Sequence, residues 1–593
     1  MKLGAVTGFC RQNSPAFGRK LREDEKPLVK KDIEEGLKTL GKNMGVILPT
    51  NCSPSYKESD VGVGQPYSKC SNEKLYPFLS TWGFSTQQKQ PLGLGKRTDS
   101  SPYVSNSSAY NTAIINLDEL TKPESGALLS EETYRRIVDN NPRKGQGKSA
   151  YVYNAQETHN AFAEIYDTFE QKRANKDSLP EVERRAIEGL EADFEAFKQA
   201  HGKQQEKNAL YNILTDIYDN DYWPNWENPT DRDLFKKPKN DREKEQRTSR
   251  LNELRENHKK EINAFLFSQM LAKKEISKGH KTLDKNGISD IGDIPIGFSD
   301  AEVWGNRDLF SEDLRLGCKE PWNPNAQKWG FIVQDPTKIF NQDGSLGEGG
   351  KFLYNKYKKA FEENKGGVRI DHVVGLMDPY VYSENSGREG RLYSELYRGL
   401  NGDKFDRILR KIVLPAANEA GLNASHIIVE DAGYLPGCTK QTLSELGLGG
   451  TIITKWSNSD KTWNAPRNST LMVTNHDTET AKELYPNKGE RRNKFVELFS
   501  SGAKNIQIFW TDLFGIKERY NVPGVVGPEN WSLRMTENFE DTYHKRLEQD
   551  DALNLPDVIL EANVRRNHNF WNDHSRLAHS LQHWSNVLKE KEN

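Results

Sequence analysis

Cysteine is scarce in this 593-residue chain. The five residues Cys10, Cys52, Cys70, Cys318 and Cys438 are odd in number, widely scattered and contain no CxxC. That pattern argues against a disulfide framework or a zinc site and points to a cytoplasmic protein. Net charge is also nearly missing. The 84 Lys and Arg against 86 Asp and Glu leave −2, so the basic excess expected of a nucleic-acid binder is absent. Long hydrophobic runs are lacking too. Nothing approaches the roughly 18 apolar residues that would span a bilayer, and the opening MKLGAVTGFCRQ is too weakly apolar for a secretory segment. VGVGQP at 61–66 has no following Lys-Ser/Thr, so a phosphate-binding loop is unsupported. Hydrophobic residues make up only 35% and the mean hydropathy is −0.85. Aromatics are plentiful, with 12 Trp, 22 Tyr and 24 Phe. They argue against wholesale disorder, and Tyr and Trp can stack on sugars or nucleobases as well as fill a core.

Short apolar runs, each ending in polar or glycine residues, recur from residue 44 onward. They lie at 45–49 (GVILP), 87–92 (QQKQPL), 289–297 (SDIGDIPIG), 366–373 (GGVRIDHV), 426–431 (HIIVED), 450–456 (GTIITKW), 470–477 (TLMVTNHD) and 505–509 (NIQIF). The second could equally be an irregular loop. Helical patterns separate most of them. Eight β/α units predict an α/β fold, a (β/α)8 TIM barrel with its active-site residues on the C-terminal rim. Nearly 200 residues separate the second and third runs, too many for one βα connection. This stretch predicts a large, mainly helical insertion at 93–288. Its amphipathic example is 181–199, with Val182, Ala186, Ile187, Leu190, Phe194 and Phe197 in register. The nearly all-polar stretch 241–261 reads as a solvated helix face. Residues 1–42 read as a polar N-terminal extension that the fold can do without. Residues 43–92 start the barrel, and 289–593 complete it and add C-terminal helices.

Three strand ends carry acids: Asp371 after Arg369-Ile370, Glu430 beside Asp431, and Asp477 after Asn475-His476. Alternate strand residues share a face, so Arg369 and Asp371 point the same way. A guanidinium favours the ionised carboxylate that a nucleophile requires. On a closed barrel these ends converge on one cavity. Two carboxyl groups about 5 Å apart suit retaining glycoside chemistry, in which the acid partner keeps its proton because a neighbouring carboxylate raises its pKa. Any one of these acids could simply cap a strand or pair with a lysine. Three of them on separate strand ends, with Arg369 and two histidines adjacent, fit that explanation poorly.

At these residues the sequence resembles the 4-α-glucanotransferases (amylomaltase or disproportionating enzyme) of glycoside hydrolase family 77 in the α-amylase clan. GVRIDH at 367–372 is similar to the segment carrying the family's nucleophile, which the resemblance places on Asp371, with Arg369 as the clan's arginine. VEDAG at 429–433 resembles AEDLG and implies Glu430 as general acid/base. TNHD at 474–477 resembles GTHD and implies Asp477 as transition-state stabiliser, with His476 beside it. His372 directly after Asp371 is family-like. GDIPIG at 292–297 puts a ring contact on Asp293, and DAEVW at 300–304 follows it. SPYVSNSSAYN at 101–111 implies that Tyr103 contacts a glucose ring. QKWG at 327–330, and the block from Leu513 through Asn521 to Asn530-Trp531, complete the likeness over 44–535.

The resemblance implies disproportionation of α-1,4-glucans and maltooligosaccharides, with no metal or organic cofactor, no nucleic-acid or membrane partner, and a monomer or weak homodimer. Departures are present. CKEPW at 318–322 stands where the family's lid carries Pro-Pro-Asp-Tyr-Phe, with Trp322 as the substitute aromatic for substrate binding. EDAGYLP and TNHD also differ from the usual pattern, and Asn-His-Asp occurs in α-amylase proper. A hydrolase of the same clan and a non-catalytic glucan-binding barrel are the alternatives; the intact trio of acids argues against the binder. His579 and His583, at i, i+4 near His568 and His574, read as surface helix rather than a metal site. Trp223 and Trp226 read as core or domain seam.

Overall fold

The computed structural model describes residues 20–319, 325–384, 390–393, 403–431, 437–525 and 527–590. Eight short parallel strands close into a barrel. They are β1 (Asn43–Ile47), β2 (Thr86–Gln88), β3 (Ser289–Ile294), β4 (Gly367–Ile370), β5 (Ile427–Val429), β6 (Gly449–Ile453), β7 (Thr470–Met472) and β8 (Asn505–Phe509), in the cyclic order β1-β8-β7-β6-β5-β4-β3-β2. Each of the eight sequence segments supplies one strand. Even β2, three residues long, pairs with both β1 and β3. The barrel interior is crowded at its start. A Cβ on Gly45 would lie 2.2 Å from Thr86 Oγ1 and 2.6 Å from Gln507, so only glycine lets those polar side chains fill the space.

The main helices are α1 (Lys26–Leu40), α2 (Tyr151–Ala174), α3 (Glu181–Tyr218), α4 (Asp241–Asn257), α5 (Lys259–Lys285), α6 (Glu348–Glu362), α7 (Lys488–Ser500), α8 (Leu555–Arg566) and α9 (Ser575–Val587). Within the segment expected to be a dispensable extension, helix α1 packs into the shell of the fold. Its Val29, Ile33 and Leu37, spaced by four, are buried, and it packs against α8 and α9. Asp32 accepts from Trp584 Nε1 at 2.9 Å. Lysines on the other face gave the segment its polar composition, which hid a three-residue apolar stripe.

The insertion is mainly helical, as expected. Ile187, Leu190, Phe194 and Phe197 of α3 are buried, and Phe169 of α2 stacks on Phe267 of α5 at 4.5 Å. Val182, in the first turn, is exposed instead. In α4 Leu254 is the buried residue, in keeping with its charge pattern. Trp223 and Trp226 are buried; Trp226 packs on Trp304 at 5.6 Å. His579 and His583 lie on the exposed side of α9. A further sheet is not foreshadowed by the sequence pattern. Segments Phe310–Cys318, Gln327–Gln334, Tyr380–Tyr382 and Arg391–Leu392 form a four-stranded antiparallel sheet. It is built from the β3–β4 and β4–β5 connections and carries Trp329 to the barrel mouth.

Candidate active site

The acids predicted from the strand ends meet at one cation. Asp293 and Arg369 are register partners on β3 and β4, so both side chains enter the barrel together. Arg369 Nη1 bonds Asp293 Oδ1 and Oδ2 at 2.7 and 2.8 Å. Its Nη2 reaches Asp371 Oδ1 at 3.1 Å and Glu430 Oε2 at 2.8 Å. Asp371 and Glu430 are the first residues beyond β4 and β5, where the chain leaves the sheet but remains on the rim. Their neighbour Asp431 turns away from the pocket: its Oδ1 accepts from Thr451 N at 2.7 Å. A Cβ on Gly450 would meet its Oδ2 at 2.2 Å. Glycine on β6 therefore makes room for the anchor that fixes the end of β5.

His372 contributes through its backbone. It adopts φ +35°, an uncommon conformation for a non-glycine residue. Its N–H donates to Glu430 Oε2 at 3.0 Å. Its ring stands edge-on to Trp329, 4.9 Å between centroids. Asp477 lies five residues beyond β7 and is the most open acid, with 42% of its side chain exposed. His476 Nε2 lies 3.0 Å from Asp477 Oδ2 and 2.9 Å from the Tyr103 hydroxyl. The Tyr103 hydroxyl donates to Asp293 Oδ2 at 2.8 Å. It therefore accepts from the imidazole, which puts a proton on Nε2.

Charge decides the protonation pattern. Burial, opposed by Arg369 and reinforced by the negative Glu430 and Asp293, pushes the Asp371 carboxyl well above the carboxylate range. For Glu430 burial acts in the same direction. There Arg369, the hydrogen bond from Asp371 and the His372 N–H outweigh it and hold the group below its ordinary value. Asp477 is likewise held low against burial by His476 and Asn521. One guanidinium thus faces three carboxyl groups, and burial together with their mutual repulsion opposes full ionisation of the Asp371–Glu430 pair. Sequence reasoning expected Arg369 to keep Asp371 ionised; in the structure the guanidinium is shared with Asp293 and Glu430, and the His372 N–H serves Glu430.

All predicted site residues except one fall in this cluster. Trp322 lies outside the described residues. Tyr103 is half-buried, its hydroxyl engaged and its ring stacked on His476 at 5.4 Å. Residues not singled out from sequence complete the walls. Asn521 donates to Asp477 Oδ1 at 2.8 Å. Trp531 packs on Tyr103 and His476 at 5.8 and 5.9 Å. Trp456, three residues beyond β6, is 61% exposed on the rim. Asn521, Trp329 and Trp531 sat inside recognised motifs, which was the available signal.

Residues 55–540 match the profile of glycoside hydrolase family 77, described as 4-alpha-glucanotransferase. The 4-alpha-glucanotransferase of Chlamydia pneumoniae is 23% identical over 330 residues, 48% of this chain and 59% of the relative. This match therefore spans little more than half of the relative's length. The chloroplastic/amyloplastic 4-alpha-glucanotransferase DPE1 of Arabidopsis thaliana is 21% identical over 79% of this chain and 78% of its own. In structure, the amylomaltase of Streptococcus agalactiae, solved with acarbose, superposes with a TM-score of 0.66 at 18% identity, covering 86% of this chain and 99% of its own. Amylomaltase from Corynebacterium glutamicum gives 0.61 at 16%, covering 94% and 77%. These likenesses support the barrel fold.

Proposed function

The chain belongs to glycoside hydrolase family 77, the 4-alpha-glucanotransferases, and from that membership we propose that it transfers α-1,4-glucan segments between maltooligosaccharides or starch and glycogen chains. The observation that carries the reading is the convergence of Asp293, Asp371 and Glu430, from three strands, on Arg369. Asp371 and Glu430 share one guanidinium nitrogen, Nη2 of Arg369.

In this reading the carboxylate of Asp371 attacks the anomeric carbon, and Glu430 protonates the departing glycosidic oxygen. For this step the proton is on Glu430, where a glycosidic oxygen placed against it accepts a hydrogen bond from the protonated carboxyl. Cleavage leaves a glucosyl ester on Asp371. Glu430, now a base, takes the proton from the 4-hydroxyl of a second glucan, and that oxygen displaces Asp371. Asp477, held ionised, favours the positive charge that develops on the sugar ring. Asp293, His372, His476 and Tyr103 position ring hydroxyls, and Trp329 and Trp456 offer apolar faces to the chain, the role the sequence resemblance also implies for Trp322. The mechanism needs no metal or organic cofactor.

Among the described residues no helix is long and apolar enough to cross a membrane. Action in the cytoplasm on neutral glucans, as a monomer or weak homodimer, is part of the proposal. Maltotriose tests it: transfer yields glucose plus a ladder of longer maltosaccharides, whereas only shorter products would make the protein a hydrolase. Asp371→Asn is expected to lower kcat by about 10³-fold or more; full activity in that variant would remove the nucleophile.

A further inference from the structure

Asp512 sits behind the site, in the turn that follows β8, and is 5% exposed. Its Oδ2 accepts from Thr474 Oγ1 at 2.5 Å, and its Oδ1 accepts from Ala481 N at 2.7 Å. Thr474 and Ala481 are the two ends of the loop that carries His476 and Asp477. Between them the loop is held by its own contacts: Asn475 Oδ1 accepts from Asp477 N at 3.0 Å, and Thr478 Oγ1 accepts from Asn475 N at 3.0 Å. Asn521 and Arg519 also reach the middle of the loop at Asp477, while one carboxylate, that of Asp512, holds both of its ends.

We infer that Asp512 is a positioning residue: its carboxylate ties both ends of loop 474–481 to the end of β8, and so holds Asp477 and His476 at the sugar. The inference rests on the transferase reading of the site, because it assigns Asp477 work in the reaction. Asp512 touches neither the substrate position nor the reacting acids.

The chemistry of the carboxyl separates this role from simple packing. Burial pushes Asp512 up to about 6, although Thr474, the Ala481 N–H and Arg491 favour its ionised form. It also borders a cavity of about 240 Å³, faced by Lys488, Arg491 and Arg492 of α7 and by Asp550, Asp551, Asp557 and Lys589. Four cations there nearly balance three anions, which leaves burial as the deciding influence. A carboxyl raised in the fold is disfavoured when ionised, so at neutral pH the charge lowers stability. Asparagine would remove that cost while keeping the Ala481 bond. It would also replace the short, charge-assisted bond to Thr474 with a longer neutral one.

The test uses the full chain with Asp512→Asn, Asp512→Ala and Thr474→Val. The readouts are kcat and KM on maltotriose, the thermal midpoint at pH 8, and hydrogen exchange of residues 474–481. For Asp512→Asn, kcat is expected to fall about tenfold, the worth of one charge-assisted hydrogen bond. Its KM should stay within about twofold and its midpoint should be unchanged or higher. Thr474→Val should lower kcat by a similar factor. Asp512→Ala should lower it about a hundredfold, with faster exchange confined to 474–481. If the alanine variant does not fold, the other two decide. Full kcat in Asp512→Asn, or kcat and midpoint falling together, would overturn the positioning role. A wild type inert on all α-glucans sinks the transferase reading instead. The exchange measurement then decides the anchoring alone, and unchanged exchange over 474–481 rejects it.

Discussion

Arg369 faces three carboxyl groups at once, and the planar fork of its guanidinium makes that possible. One nitrogen serves both oxygens of Asp293 while the other reaches Asp371 and Glu430. A lysine at this position would supply a point charge without the fork. Arg369→Lys is therefore expected to lower kcat on maltotriose by about a hundredfold or more, the loss of one to two charge-assisted hydrogen bonds. A variant within twofold of wild type would show that charge alone suffices. The identity of these residues was legible in sequence because each sits in a short motif at a strand end. The way the four groups share their hydrogen bonds was not. It depends on the His372 N–H, aimed at Glu430 by a left-handed backbone, and on Asp293 drawing off half of the guanidinium. Asn521 and Asp512 were missed for a related reason. Their partners Asp477 and Thr474 lie 44 and 38 positions away, and no local pattern encodes a contact at that separation.

Among elements, α1 shows how composition can mislead. KPLVKKDIEEGLKTL is dominated by lysine and glutamate, yet Val29 and Ile33 are fully buried beside Leu37. Gly36 also lies against α8, where a Cβ would come 2.6 Å from Ile559. Ile33→Ala should destabilise the fold by about 3 kcal/mol through lost burial and the cavity left behind. Chemical unfolding measures this directly. A midpoint equal to wild type would return α1 to the status of an appendage. The antiparallel sheet went unnoticed because its longest strands, Phe310–Cys318 and Gln327–Gln334, pair with register shifts. Irregular pairing breaks the alternation by which a strand is recognised.

The whole molecule carries almost no net charge, yet it buries several ionisable groups whose titration shapes its stability. Burial pushes Glu275 up to about 7 and Asp431 and Asp512 up to about 6. Such groups favour the folded state fully below their unfolded values of 4.5 and 3.8. That contribution is lost as pH rises through 6 to 7, up to ~3 kcal/mol each. Buried His544, lowered to about 4, works in the other direction: its contribution is present above 6.5 and is lost as pH falls towards 4. Glu275 is the acid that titrates nearest neutrality, so Glu275→Gln should raise the thermal midpoint at pH 8 more than at pH 5.5. Equal midpoint changes at the two pH values would contradict this.

The eight-strand barrel, its helical insertion and the acids on its rim are written in the order of the amino acids alone. Strand periodicity and strand-end motifs are local properties, and closing eight β/α units allows few other arrangements. Other features exist only once the chain is folded. They are the place of α1 in the packed shell, the antiparallel sheet bordering the mouth, the sharing of Arg369 among three acids, and the tie between Asp512 and the loop of Asp477. Each of these depends on which distant groups share one low-dielectric space, where a single additional hydrogen bond or charge selects the outcome.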